Sequence, residues 1–179
     1  FMEYQRRNGT DYDIADQSLQ WKVMIQAVGK VSDDNPSIKL LSPKNNVFLL
    51  DEVSWIKASN ILDEETYPDI DRIGRASGGK GQPQKLVKNS PLRSGIFQLM
   101  HRYDHLLELE GHVDFRTMNL FALEEARRNL KGKYTHIIID ESQDLTKVQL
   151  EFLKCIYQDK AYSSIMFVAD NTQSIYPHS

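Results

Sequence analysis

Ile137-Ile138-Ile139-Asp140-Glu141-Ser142-Gln143-Asp144 is the stretch on which the fold of this chain turns. A short run of β-branched apolar residues reads as a buried strand, and this one ends in carboxylate and amide side chains. A second run, Ile165-Met166-Phe167-Val168-Ala169, ends in Asp170 and continues Asn171-Thr172-Gln173-Ser174-Ile175-Tyr176. Helical spacing fills residues 146 to 158 between them. Strands over 134–139 and 164–169 joined by that helix imply a parallel, right-handed unit. In such open sheets ligands gather beyond the carboxyl ends of the strands, where both polar clusters fall. Two such ends side by side would form a site for a metal-bound nucleotide phosphate.

Phosphoryl transfer needs a divalent ion on the β and γ phosphates and a group that orients the attacking water. Asp140 can hold the ion, directly or through its water, and Glu141 can position or deprotonate the nucleophile. Gln173 offers an acceptor and donors, which suits sensing a γ phosphate. The same apolar-acid form recurs at Val47-Phe48-Leu49-Leu50-Asp51-Glu52. That copy runs on through Val53-Ser54-Trp55-Ile56-Lys57 without a turn signal and reads as an amphipathic helix with solvated acids.

Upstream the chain is mainly helical. Residues 13 to 31 carry a broad apolar face, with Asp13 placed to cap the start, and residues 46 to 59 have helical spacing. Ser90-Pro91 opens another helix, with Ile96, Leu99, Tyr103 and Leu107 on its stripe and Gly111 as its stop. Asp114 opens the next, to about Leu130, with Met118, Phe121, Ala122 and Ala126 inward. From Arg72 through Tyr103 there is no Asp or Glu, while Arg72, Arg75, Lys80, Lys85, Lys88, Arg93 and Arg102 fall in that span. Its basic loop, 72–93, is a candidate contact for DNA phosphates, which lysines and arginines bind without regard to sequence.

The 179 residues are 40% apolar and suit one domain or one and a piece, with a net charge of −3 that gives no overall pull toward nucleic acid. No apolar run approaches the roughly 20 residues needed to span a membrane. The single Cys155 excludes an internal disulfide, fits a reducing compartment and reads as a buried helical thiol. His101 and His105 lie four apart on a predicted helix without a third ligand in register, and read as solvated helix-face residues rather than a zinc site. The chain starts at Phe1 and stops at Ser179, just past a motif, so a segment of a longer protein is expected.

Asp140-Glu141-Ser142-Gln143-Asp144 resembles the Walker B motif of UvrD/Rep/PcrA-type superfamily 1 helicases, usually Asp-Glu-X-Gln-Asp. Val168 through Tyr176 resembles their motif III, usually Gly-Asp-X-X-Gln-Ser-Ile-Tyr. The motifs cover about residues 114 to 176, with Asp114-Phe115 resembling the entry to the helix before motif II. The resemblance implies an α/β fold: part of a RecA-like P-loop NTPase parallel sheet over 113–179, with a mainly helical inserted accessory subdomain over 1–112. It implies ATP and Mg²⁺ as cofactors, with Asp140 coordinating the metal beside Glu141, the catalytic base. Gln173 would contact the γ phosphate, while Gln143, Asp144 and Asp170 would complete the nucleotide site. Tyr176 would stack on single-stranded DNA, and the basic loop would meet the duplex junction. The parent would be an ATP-dependent 3′-to-5′ helicase or translocase of the bacterial cytosol or nucleoid, working with the remaining helicase domains of its chain.

Two departures stand out. Ala169 replaces the usual Gly, and Pro177-His178-Ser179 follows where the family often has Arg and Trp. A phosphate-cradling Gly-x-x-x-x-Gly-Lys-Ser/Thr is absent from the sequence. Gly78-Gly79-Lys80-Gly81 has the glycines, but Gly81 follows the lysine. This piece alone is therefore expected not to turn over ATP. The alternative is a non-catalytic DNA- or protein-binding module from a degenerate or nuclease-fused helicase.

Overall fold

Apolar stripes at helical spacing build the core. The structure, a computed structural model, describes residues 1–72, 86–130 and 132–170. Helix α2 (Gln17–Asp34) buries Val23, Met24, Ala27, Val28 and Val31. Helix α3 (Asn46–Ala58) buries Leu49, Val53 and Ile56, and α4 (Pro91–Leu109) buries Ile96, Phe97, Leu99, Met100, Tyr103 and Leu107. With Leu41, Ile61, Tyr67 and Leu86 they form one continuous core. Each large apolar side chain removed from water there contributes about 1.5–3 kcal/mol.

The start of α2 differs from the sequence expectation. Asp16, not Asp13, caps it, accepting the Leu19 N–H at 2.7 Å. Asp13–Ile14 instead form β1, parallel to β2 (His112–Val113), with the Asp13 N–H donating to Gly111 and the Ala15 N–H to Val113. A tertiary strand pairing claims residues that local propensity would give to the helix. Gly111, at φ 74°, makes the left-handed turn between α4 and β2. The Ser90 hydroxyl donates back to the Val87 carbonyl at 2.7 Å rather than capping α4.

Helix α5 (Phe115–Asn129) starts at the expected cap, Asp114. Its inward face is Thr117, Leu123, Glu125 and Ala126 rather than Met118, Phe121 and Ala122, which are half-buried. Helix α1 (Met2–Asn8) lies against α5, Tyr4 stacks on Phe121 with ring centroids 4.1 Å apart, and Arg7 pairs with Glu125 at 2.8 Å.

Beyond α5 run β3 (His136–Ile139), α6 (Lys147–Ile156) and β4 (Ser164–Phe167). The two strands pair in parallel, His136 against Ser164 through Ile139 against Phe167. Thr146 and Gln149 form a reciprocal capping box at the start of α6, and α6 packs on α5. The strands are less buried than their apolar runs imply. Ile137, Ile139 and Ile165 are half-buried, but Ile138 and Met166 on the opposite face are 74% and 57% exposed. Among the described residues no second layer covers that face. Cys155, on α6, is likewise half-buried rather than buried.

The acids and base of α3 depart most from expectation. Glu52 is not solvated: it is fully buried and accepts from the Tyr67 hydroxyl at 2.8 Å and from Arg72 Nε at 2.7 Å. Lys57, 1% exposed, donates to Asp114 Oδ2 at 2.7 Å, to Thr117 Oγ1 at 2.9 Å and to Asp104, and lies 5.1 Å over the Tyr103 ring. Helices α2, α4 and α5 all contact α3, so it has little solvent face on which to carry charge.

Burial would pull Lys57 down, but Asp114 and Asp104 outweigh it and leave the ammonium raised. Burial pushes Asp114 up, and Lys57 pulls it below the ordinary carboxylate range. Asp104 is pushed up to about 6 by burial, against the pull of Lys57. Removing one partner of such a cluster strands the rest, so Lys57→Ala is expected to cost about 3–5 kcal/mol in urea denaturation. The Asp104 contribution to stability is present below the unfolded carboxylate pKa of about 3.9 and is lost as pH rises through its folded value. Denaturation midpoints of Asp104→Asn, compared with the parent from pH 4 to pH 7, should lack that decline.

Candidate active site

Asp140 and Glu141 form a two-residue turn closed onto the backbone of a single residue, Val168. The Val168 N–H donates to the Ile139 carbonyl at 2.8 Å, before the pair, and the Val168 carbonyl accepts the Ser142 N–H at 2.9 Å, after it. The parallel strands thus bring Asp140-Glu141 and, of the second cluster, Asp170 to one end of the sheet. Asp140 and Glu141 are exposed there. Glu141 is left-handed at φ 52°, ψ 41°, a conformation that costs a non-glycine residue on the order of 1–3 kcal/mol and persists where its surroundings hold it.

Those surroundings are specific. Asp140 Oδ1 accepts the Glu141 N–H at 3.0 Å, and the Glu141 carbonyl accepts the Asp144 N–H at 3.1 Å. The Gln143 amide is shared: Nε2 donates to Glu141 Oε2 while Oε1 accepts the Asp170 N–H at 3.2 Å. One amide therefore holds the carboxylate and the end of the neighbouring strand. Residues 142 to 144 tighten into a 3₁₀ turn, after which the capping box restarts the chain as α6. Glu151 of α6 accepts from Asn60 at 3.0 Å and from Arg127 of α5, fixing that helix against the end of α3. A groove of about 950 Å³ runs between α2, α3 and the 143–149 segment, lined by Trp21, Trp55, Phe115 and Asp144.

The basic stretch splits. Arg72, expected at DNA, is turned inward: its side chain is 5% exposed and its guanidinium is held by Glu52. Arg93 is also buried, donating to the carbonyls of Tyr67, Pro68, Ile70 and Leu86 at 2.7–3.1 Å. Composition counts cations but does not see which of them an acid or a carbonyl has claimed. Lys88 is at the surface, 2.6 Å from Asp71. Arg75, Lys80, Lys85, Gln173 and Tyr176 lie outside the described residues. His101 and His105 are exposed on α4, with His101 edge-on to Phe97.

Sequence reasoning gave Ser142 no role, read Glu52 as a solvated acid and passed over Lys57. For the last two a signal existed. Leu49, Val53 and Lys57 are four apart, and Glu52 is four before Ile56, so both charges sit at stripe positions of α3.

The UvrD/REP helicase N-terminal domain family matches residues 3–178. This chain belongs to that family. DNA helicase II of Escherichia coli (strain K12) is 26% identical over 131 residues, covering 68% of this chain and 18% of the relative. An ATP-dependent helicase/nuclease subunit of Anoxybacillus flavithermus is 28% identical over 118 residues, covering 53% of this chain and 10% of the relative. The helicase/nuclease subunit of Carboxydothermus hydrogenoformans is 30% identical over 90 residues, covering 48% and 8%. The chain thus spans less than a fifth of the length of these relatives. No solved structure matches it significantly.

The shared amide makes a structural prediction. Gln143→Ala removes the acceptor for the Asp170 N–H, so that amide should lose hydrogen-exchange protection while amides in the α2–α4 core keep theirs. Unchanged protection at Asp170 would contradict the bridge.

Proposed function

We propose that this chain is a segment of an ATP-dependent DNA helicase or translocase. In this reading residues 113–179 belong to a RecA-like ATPase domain and 1–112 to its helical accessory subdomain. The observation that carries it is the Asp140-Glu141 turn, pinned on both sides by the Val168 backbone N–H and carbonyl and bridged by Gln143 to the strand end at Asp170. Family membership and relatives named as helicases support it.

The donor set fits Mg²⁺, a hard ion that takes oxygen ligands and is commonly held by one or two carboxylates plus substrate phosphates. Asp140 is exposed at the same end of the sheet as Glu141, with Oδ1 on the Glu141 amide. Asp140 would hold the ion, with Glu141 beside it; the ion supplies neutralisation of phosphate charge. The Glu141 carboxylate takes the proton of the attacking water, and Gln143 fixes where that carboxylate stands. Gln173 contacts the γ phosphate, and Asp144 and Asp170 complete the nucleotide site. Tyr176 stacks on a base of single-stranded DNA, a contact worth roughly 1–3 kcal/mol. Arg75, Lys80, Lys85 and Lys88 are the remaining candidates at the duplex junction. The 3′-to-5′ polarity rests on the motif resemblance, and the helicase/nuclease relatives favour a nuclease-fused parent as the second form of the same reading.

The test is ATP hydrolysis by the full-length protein with and without single-stranded DNA. DNA-stimulated turnover is expected, and Glu141→Gln should lower it by about 100-fold or more, the scale of a general base. The isolated 179-residue chain should show none, because its sequence has no phosphate-cradling loop. Full activity in Glu141→Gln would reject the assignment.

A further inference from the structure

Ser142 makes a contact that neither the motif nor the proposed mechanism uses. Its hydroxyl donates to the Val168 carbonyl at 2.9 Å, and its own backbone N–H donates to the same oxygen at 2.9 Å. A carbonyl oxygen has two lone pairs, and one residue supplies donors to both. Ser142 directly follows Glu141, the left-handed residue. The backbone bond alone would fix a distance; two donors from one residue onto one acceptor also fix the direction in which the peptide leaves Glu141. Val168 in turn is two residues before Asp170, whose N–H the Gln143 side chain accepts.

We propose that Ser142 is a positioning residue that couples the end of β4 to the carboxylate of Glu141. A displacement of the strand end at Val168–Asp170 moves the Val168 carbonyl and through it the Ser142 peptide and Glu141. The Gln143 bridge reaches Glu141 through a side chain that can rotate; the Ser142 link reaches it through the backbone. The proposal rests on the hydrolysis reading above.

The experiment measures steady-state ATP hydrolysis of the full-length protein, with and without single-stranded DNA, for Ser142→Ala and Ser142→Thr, with Glu141→Gln as control. Ser142→Ala is expected to lower kcat by about 3–10-fold, the scale of one lost hydrogen bond, and to reduce the ratio of DNA-stimulated to basal turnover, with KM for ATP unchanged. Ser142→Thr, which keeps the hydroxyl, should restore both. Wild-type kcat and stimulation in Ser142→Ala would overturn the proposal. So would equal impairment of both variants, which marks a packing role, or failure of Ser142→Ala to fold, which marks a stability determinant. If Glu141→Gln retains activity, the hydrolysis reading falls and this proposal with it; if only Ser142→Ala does, the hydrolysis reading stands.

Discussion

A buried ammonium organises this chain. Lys57 lies in the middle of the helical core with almost no solvent exposure, and two carboxylates and a hydroxyl from α4 and α5 surround it. An unpaired charge there would be untenable, because burial of an ion without partners costs far more than a domain's net stability. The partners are therefore obligatory, and they dictate where α4 and α5 sit. Asp114 serves twice in the arrangement. One of its oxygens caps α5 by accepting the Thr117 N–H, and the other accepts the lysine. The carboxylate that starts the helix leading to β3 is thus one of the two that pair with the buried lysine of the helical part.

From that anchor the placement of the candidate site follows. Helix α5 carries α6 against its flank, Glu151 links α6 to Asn60 at the end of α3, and α6 connects the two parallel strands. At their ends the Val168 backbone N–H and carbonyl hold the Asp140-Glu141 turn from both sides. The acids are exposed but their backbone is not free to wander. That combination suits chemistry on a ligand from solvent, since positioning is settled before the ligand arrives.

Polar groups set the limits of composition as a guide. The acid-free basic stretch looked like one electrostatic surface, yet Arg72 answers Glu52 and Arg93 gathers four backbone carbonyls. Both are cations of the interior. The apolar faces of β3 and β4 show the reverse, since Ile138 and Met166 remain exposed where their sequence promised burial. Hydrophobicity states what a strand face can cover; the neighbouring layer decides whether it is covered.

The sequence by itself determined the helical periodicities, the Asp114 cap, the parallel strand–helix–strand unit and the motif whose carboxylates line its end. Each of these is local, written in spacings of two, three or four residues and in the side chains at element ends. Tertiary structure alone decided that Asp13 joins a strand instead of a helix, which partners Glu52 and Lys57 find, and that Ser142 and Gln143 tie one strand end to the other. Those outcomes depend on partners distant in sequence: Lys57 on Asp104 and Asp114, Ser142 on Val168. A one-dimensional pattern records which groups need partners, and only the packed chain shows which partners they find.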